Sequence, residues 1–309
     1  SLDWEGSDMD KGFKRGLAAA ALLVLAACAS TPVSKGGGGP ASAQVDRRLE
    51  TQAAAFESFM RNARGIDATF ANPAAVAEGL RIGSGYEPKQ LEAGMVAYAA
   101  LAALQEPKFV AGVRKAAQDK SGKGLAARLA ARPDLAAGLP GADAGAARAS
   151  AALYRQGEAL EASGKRVKKA SYDIQRQAWA KVFVPDARAR LTRVKQISSA
   201  GYRPAGGDQA QLYSTLAQGG KRGGAASPVV SRGLAVAALS VMGESGRAGA
   251  LMSEPRSGMC VRVAKLNLYQ CLAAAGPYYE DIYCLAQHAM LEPAGCATDA
   301  VRPIRTAQR

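Results

Sequence analysis

Residues 142–183 read ADAGAARASAALYRQGEALEASGKRVKKASYDIQRQAWAKVF, and no proline interrupts this stretch. Large and small residues recur in it at two positions of a seven-residue repeat. The large residues are Leu153, Leu160, Val167 and Ile174, and the small ones are Ser150, Gly157, Gly164, Ser171 and Ala178. Such a repeat places both sets along one edge of a helix, where small residues let a partner helix approach closely. The stretch therefore predicts one long helix, 142–183, with a close-packing seam.

The partner of this seam is left open by the sequence. One alternative is a helix of another subunit. The other is a helix of the same chain, either in a hairpin with 185–198 or the Ala-rich helix at 89–105, and we favour a partner within the chain. Glycine inside a helix lowers helix stability by about 1 kcal/mol relative to alanine, so Gly157 and Gly164 predict a packing requirement at the seam.

The chain from about Val45 onward also has a helical pattern. Pro73, Pro88 and Pro107 each stand where a helix can begin. The helix after Pro88 is apolar around most of its circumference, which predicts a central position. Alternating strand patterns of useful length are missing. The predicted fold class is all-α: a multi-helix bundle with one long helix and a disulfide-stapled C-terminal αα-hairpin.

Two glycine-rich stretches divide the chain. Residues 28–44, with Gly36 to Gly39 in one block, predict a flexible tether. Residues 203–227 contain GGKRGG but lack the Gly-Lys-Ser/Thr ending of a phosphate-binding loop, so they predict a linker. The predicted body therefore consists of a main helical domain, 45–202, the linker, and a C-terminal helical region, 228–309.

Four cysteines lie near the end of the chain, around the turn Ala275-Gly276-Pro277. This turn separates two predicted helices, 259–274 and 278–291, which form an αα-hairpin. Cys260 and Cys271 are eleven residues apart, close to three helical turns, so they face the same way. Folding at the turn then predicts two disulfides of an exported protein, Cys271–Cys284 and Cys260–Cys296. A zinc site from Cys284 and His288 is a weaker alternative because no CxxC pair accompanies them, and we predict no metal.

The N-terminal part of the chain has the layout of an export signal. A basic segment, Lys11 to Arg15, precedes an apolar run at 17–29. This run is shorter than the ~18 apolar residues that a membrane-spanning helix needs, which favours a signal peptide. Residues 1–8 are acidic and precede Met9, so we predict that they are a non-native leader and that the signal peptide is 9–27.

The end of this signal is more specific. Leu25-Ala26-Ala27-Cys28 resembles the lipobox of bacterial lipoproteins. The resemblance implies that the signal peptide is removed before Cys28, that Cys28 takes a diacylglycerol, and that its new amino terminus is acylated. It also implies an outer-membrane anchor facing the periplasm, because Ala29 stands where an aspartate often retains lipoproteins in the inner membrane. The alternative is an ordinary signal that is cut after Ala27.

Basic residues dominate the chain, whose formal net charge is +14 at pH 7. They concentrate between residues 165 and 195. Five of them are candidate contacts to an anionic surface: Lys165, Arg166, Lys168, Lys169 and Arg176. The polyanions of an envelope include lipopolysaccharide and wall polymers such as peptidoglycan, so nucleic acid is not an expected partner. A solvated helix face is the simpler interpretation of the same residues.

Catalytic patterns are largely missing from the sequence. His288 is the only histidine, no serine precedes a lysine by three positions, and GESGR at 243–247 lacks the second glycine of a nucleophile elbow. Two carboxylates alone can carry wall-lytic chemistry. The candidates of that type are Glu158, Glu161, Glu244, Glu280 and Asp281. Their spacing does not distinguish them from surface residues, so we predict no enzyme and no cofactor.

Together these patterns predict an outer-membrane lipoprotein that is a non-catalytic structural or accessory component of an envelope assembly. Its N-terminal lipid enters the membrane, and its helical body contacts an envelope protein partner. The alternative is a basic binding module for peptidoglycan or lipopolysaccharide. The third interpretation is a carboxylate-type wall-active enzyme.

Overall fold

Helices follow one another throughout the computed structural model, which describes residues 46–119 and 124–303. They are α1 Arg47–Arg64, α2 Pro73–Gly83, α3 Pro88–Leu104, α4 Pro107–Gln118, α5 Leu125–Ala131, α6 Ala142–Asp173, α7 Ala187–Ala200, α8 Asp208–Ala217, α9 Pro228–Val241, α10 Pro255–Ala274, α11 Tyr278–Cys284 and α12 Glu292–Asp299. Short 3-10 segments cover Pro133–Gly138, Ile174–Arg176, Trp179–Lys181 and Ser245–Met252, and a π-helical segment, Leu285–Leu291, joins α11 to α12. The predicted all-α class is confirmed. The predicted signal peptide, Cys28 and the tether lie outside the described residues.

Capping side chains begin several of these helices. The Asn72 side chain accepts a hydrogen bond from the Ala75 backbone N–H at 3.0 Å, and Ser227 Oγ accepts one from Val230 at 3.2 Å. In both helices the next residue is a proline. Proline suits the first helical position because its missing N–H would have no partner inside the helix.

Helix α3 lies at the centre of the bundle, as its apolar circumference predicts. Every residue from Gly94 to Leu104 is buried. A Cβ at Gly94 would lie 2.8 Å from Phe56 of α1, and one at Gly233 of α9 would lie 2.7 Å from Ala99. Glycines at these two crossings therefore let α1 and α9 pack closely on α3.

The long helix is shorter than predicted. Helix α6 ends at Asp173, and two 3-10 turns follow where the sequence predicts helix to residue 183. Beyond the end of the helix, Trp179 packs against Tyr278, with 6.1 Å between the ring centroids. Ala178, predicted on the seam, is exposed.

The seam is buried against the end of the chain. A Cβ at Gly157 would lie 2.8 Å from the carbonyl oxygen of Ala294, and one at Gly164 would lie 2.8 Å from the Leu291 side chain. The close partner of the glycines is therefore the helical stretch 285–299. The predicted hairpin with 185–198 is wrong, because α7 packs mainly against α10. The second predicted partner, α3, does pack against α6, and Gln156 donates a hydrogen bond to the Tyr98 hydroxyl at 3.1 Å.

The predicted linker contains a helix. Residues 208–217 form α8, whose Leu212 and Leu216 are buried. Its Thr215 hydroxyl lies 3.3 Å from the buried carboxylate of Glu57 on α1. The glycines on both sides of α8 give the sequence its linker-like composition, but two leucines four residues apart supply an apolar face. All described residues fall in one compact unit.

One lysine is enclosed by this bundle. Lys265 of α10 is 3% exposed, and its Nζ donates to the Ser84 carbonyl oxygen at 2.9 Å and to Ser198 Oγ at 3.1 Å. The ammonium lies over the Tyr86 ring, 3.4 Å from its centroid. Lys265 forms no ion pair with any described residue. Burial lowers the pKa of Lys265 well below its usual value because the charged form loses its hydration.

Replacing Lys265 with methionine is expected to raise the free energy of unfolding at pH 7 by about 1–2 kcal/mol, since an apolar side chain of similar length removes the cost of burying the ammonium. The Ser84 carbonyl keeps the Tyr86 backbone N–H as a donor at 2.8 Å. The unfolded chain binds more protons at this site, so the stability of the parent rises with pH up to about pH 10. Urea unfolding at pH 7 and pH 9 should show a smaller gain at pH 9. A lower free energy of unfolding for Lys265→Met than for the parent would mean that the buried, protonated Lys265 stabilises the fold.

Candidate anionic-surface binding site

The site begins at the turn of the C-terminal hairpin. Disulfide Cys271–Cys284 spans the turn with a Cα–Cα distance of 5.6 Å, and Cys260–Cys296 joins α10 to α12 with 5.7 Å. These are the two predicted pairs. The second arm is longer than the predicted helix 278–291, because α12 continues it from Glu292 to Asp299. The weaker zinc alternative is excluded in this arrangement, since the sulfur of Cys284 is in a disulfide.

A buried arginine holds the turn from below. Arg190 of α7 is 4% exposed, and its guanidinium donates to Asp281 Oδ1 and to the carbonyl oxygens of Leu272 and Ala275. Burial raises the pKa of Asp281 to about 6, and the charge of Arg190 opposes that rise. The sequence places Arg190 in the basic run, but its side chain belongs to the interior. It positions the turn by satisfying carbonyls that the end of α10 leaves without helical partners.

Aromatic side chains gather on the outer side of this turn. The backbone of Val184 donates to Gly276 at 2.9 Å, and that of Tyr278 donates to Val182 at 3.2 Å. These bonds pair the segment 182–184 with 276–278. The aromatic cluster consists of Tyr172, Trp179, Phe183, Tyr278 and Tyr283, and its ring pairs Tyr172–Tyr283 and Trp179–Tyr278 have centroids 6.3 and 6.1 Å apart.

The five predicted basic contacts lie beside this cluster, but most of them are already engaged. Lys165 pairs with Glu161, and Lys169 pairs with Asp173. Each partner lies one helical turn away, with an N–O distance of 2.5 Å. Lys168 turns inward, with its Nζ 2.8 Å from Gln287 Oε1 and 5.2 Å from the Tyr283 ring centroid. Arg166 donates to Ser163 Oγ at 2.7 Å. Arg176 is exposed and has no ion pair within the described part of the chain.

Charge without a neutralising partner continues beyond Arg176. Lys181 and Arg188 are exposed and form no ion pair with a described residue. Of the exposed acids near them in the sequence, Asp173 pairs with Lys169, and Asp186 caps α7 by accepting from the Ala189 backbone N–H at 2.8 Å. We call the aromatic cluster together with Arg176, Lys181 and Arg188 the basic–aromatic end. Its chemistry is a positive rim around aromatic side chains.

Of the five predicted basic contacts, only Arg176 belongs to the basic–aromatic end, and the sequence does not reveal most of its aromatic part. Tyr172 and Trp179 are visible within the basic run, but Tyr278 and Tyr283 come from the other side of the disulfide hairpin. The only signal that could have joined them is the density of tyrosines directly after Pro277. Pairing of the hairpin turn with residues 182–184 is a tertiary event with no local sequence pattern.

A separate cleft lies between the start of α1, the start of α8 and the end of α9, with a volume of about 1250 Å³. It brings together two acids that the sequence does not single out, Glu50 and Asp208. Glu50 accepts from the Tyr213 hydroxyl at 2.5 Å, and Asp208 accepts from Tyr202 at 2.6 Å. Burial raises the pKa of Asp208, but the hydrogen bonds that Asp208 accepts from Tyr202, the Ala205 backbone and Arg61 lower it overall. A general acid in glycoside hydrolysis needs the opposite shift.

The acids that the sequence did single out are dispersed. Glu161 pairs with Lys165 and Glu244 with Arg247, while Glu280 accepts from the Gly276 backbone. Asp281 is enclosed with Arg190, and Glu158 is exposed on α6. None of these five acids lines the cleft at the starts of α1 and α8.

Comparison with known proteins adds no functional assignment: no family model, curated protein or solved structure matches this chain. Among the described residues, none of the helices combines the length and apolar character that crossing a membrane requires. Nor does the described part of the chain contain a group of three or more His, Cys, Asp or Glu side chains able to hold a metal ion.

Proposed function

We propose that this protein is a lipid-anchored, non-catalytic accessory protein of the bacterial envelope, whose helical body docks on an anionic lipid surface. The lipobox resemblance at Cys28 supports the anchor, an outer-membrane location and a body that faces the periplasm. The basic–aromatic end supports the docking. The observation that carries the proposal is the presence of three exposed cations, Arg176, Lys181 and Arg188, without ion pairs to described residues, on the segment whose residues 182–184 are hydrogen-bonded to the aromatic turn 276–278.

Physical chemistry favours lipid phosphates over a purely polar glycan as the surface. Basic residues near an anionic membrane contribute about 1 kcal/mol each. Tyrosine and tryptophan have an apolar body and a polar tip, which suits the boundary between head groups and acyl chains. A lipid anchor combined with a basic patch gives more stable membrane attachment than one acyl chain alone.

Charge reversal tests the proposal. The full chain carrying Cys28→Ser, which cannot be acylated, is expected to sediment with vesicles containing about 30% phosphatidylglycerol or lipopolysaccharide. Binding should weaken between about 50 and 300 mM salt, because salt screens exposed charges. The triple variant Arg176→Glu, Lys181→Glu, Arg188→Glu should bind at least about tenfold more weakly.

The matched control is Lys89→Glu, Lys108→Glu, Lys115→Glu, which makes the same change of charge at exposed positions away from the basic–aromatic end. Apart from the general effect of net charge, its affinity for the vesicles should be within about twofold of the affinity of the parent. Equal losses in both triple variants would contradict a specific site. Binding to peptidoglycan sacculi without binding to vesicles would assign the site to the wall instead.

A second candidate function, contact with an envelope protein, is favoured by an exposed apolar stripe on α10. Met259, Val263 and Leu266 lie on one face of the helix and are 44–57% exposed. Disulfide Cys260–Cys296 holds this helix in place. The seam of α6 cannot supply the contact, because it is buried within the chain. A photo-crosslinking residue at Val263 should give one discrete adduct in cells, whereas the same residue at exposed Gln118 should not. Identical patterns at both positions would rule out the stripe.

A further inference from the structure

We propose that Val182 and Phe183 form an apolar tip that inserts into the boundary between head groups and acyl chains of the anionic bilayer. This inference rests on the proposed docking function and adds how the body engages lipid. Phe183 is 72% exposed and Val182 is 53% exposed, while the described core holds most other large apolar side chains. Large apolar groups exposed together on a surface mark interaction sites.

The charges around the tip match an anionic surface. Lys181 precedes it directly, and Arg176 and Arg188 lie on either side along the chain. Between Asp173 and Asp186 the sequence has no acidic residue. Along the chain, the exposed tip is therefore flanked by cations, which attract an anionic bilayer.

The tip is held in place by its own backbone. Residues 182–184 are hydrogen-bonded to 276–278, and an antiparallel bridge pairs Phe183 with Pro277. The Phe183 ring lies against Gly276, where an added Cβ would come within 2.5 Å of the ring. Disulfide Cys271–Cys284 and the Arg190 contacts fix the turn beneath. Preorganisation of this kind reduces the entropy that insertion would otherwise cost.

The surrounding aromatic residues suit the depth that insertion implies. Tyr172 is 55% exposed, and Trp179, Tyr278 and Tyr283 are half-buried. Tyr278 adjoins the tip through its backbone bond to Val182, and Trp179 packs against Tyr278. Their polar tips can remain at head-group level while Phe183 enters deeper. The arrangement is a shallow anchor that acts together with the N-terminal lipid and does not span the membrane.

Bromine quenching tests the insertion. In the full chain with Cys28→Ser, Trp4→Phe and Trp179→Phe, the added substitution Phe183→Trp places the only tryptophan at the tip. Vesicles containing phosphatidylglycerol and acyl-chain-brominated lipid should shift its emission to the blue and quench it. The control variant has its tryptophan at Gln118 instead, a position exposed at the end of α4. It should bind the vesicles equally, and its emission should be neither shifted nor quenched.

Affinity gives an independent readout. Phe183→Ser should weaken vesicle binding by about tenfold or more, and Phe183→Leu should restore most of the loss. The insertion would be overturned if the parent bound vesicles in a salt-sensitive way, the tryptophan emission were not quenched, and Phe183→Ser bound as tightly as the parent. That result would leave the proposed docking intact. Failure of the parent to bind vesicles at all would overturn the docking and, with it, the insertion.

Discussion

Replacing Gly157 with leucine is expected to lower the free energy of unfolding by about 2–3 kcal/mol, even though leucine is the better helix former. The reason is the identity of the atoms that the new side chain meets. A Cβ at this position would lie 2.8 Å from the Ala294 carbonyl oxygen and 3.0 Å from the Thr298 backbone nitrogen. Backbone atoms of a packed helix cannot rotate away, so α12 must move off α6.

Two other glycines make the test specific. Gly164→Leu meets the flexible side chain of Leu291, so its cost should be smaller than that of Gly157→Leu. Gly295→Ala on α12 has no atom within 4 Å of the added Cβ, and should be neutral or stabilising by about 0.5–1 kcal/mol. Urea unfolding followed by circular dichroism measures all three. An unchanged melting temperature for Gly157→Leu would show that the seam is not closely packed.

Removing Cys260–Cys296 by the double substitution to serine is expected to cost about 4 kcal/mol, and removing Cys271–Cys284 about 3 kcal/mol. The difference follows from the loops that the bridges close, since the paired residues are 36 and 13 positions apart in the sequence. A longer closed loop removes more conformational freedom from the unfolded chain.

The two variants should differ in binding as well as in stability. Loss of Cys271–Cys284 releases the turn that carries Tyr278 and Tyr283, so vesicle binding should fall at temperatures where the chain is still folded. Loss of Cys260–Cys296 leaves that turn bridged and should leave binding close to the parent. Equal binding by both variants would mean that Arg190 alone is sufficient to hold the turn.

The parts of this molecule that the sequence predicts are those that depend on local geometry. The cysteine pairing follows from helical repeat and one turn at Gly276-Pro277, and both bridges are present. Helix starts follow from prolines with a capping residue before them. The central position of α3 follows from the absence of a polar face.

The parts that the sequence does not predict depend on which elements meet. Arginine is usually a surface residue, so the sequence gives no reason to expect Arg190 in the interior. Arg190 is buried because its guanidinium binds the carbonyl oxygens of Leu272 and Ala275, whose location depends on the tertiary fold. Gly157 and Gly164 correctly predict that another helix packs closely on α6. The sequence does not predict which one, because the partner stretch 285–299 contains Pro293 and does not have the pattern of a long helix. The aromatic cluster joins two segments that are distant in the sequence.

The burial of the α6 seam under the last helices has a consequence for the order of folding. If the chain enters the envelope N-terminus first, as its lipobox resemblance implies, α6 emerges well before the stretch 285–299 that covers it. Closure of the bundle must therefore wait for the final segment, and contacts of such long range form slowly. The hairpin cysteines lie close together in the chain and can oxidise as a local unit before docking. The newly exported body should thus pass through an open, protease-sensitive stage whose length is set by arrival of its own C-terminal helices.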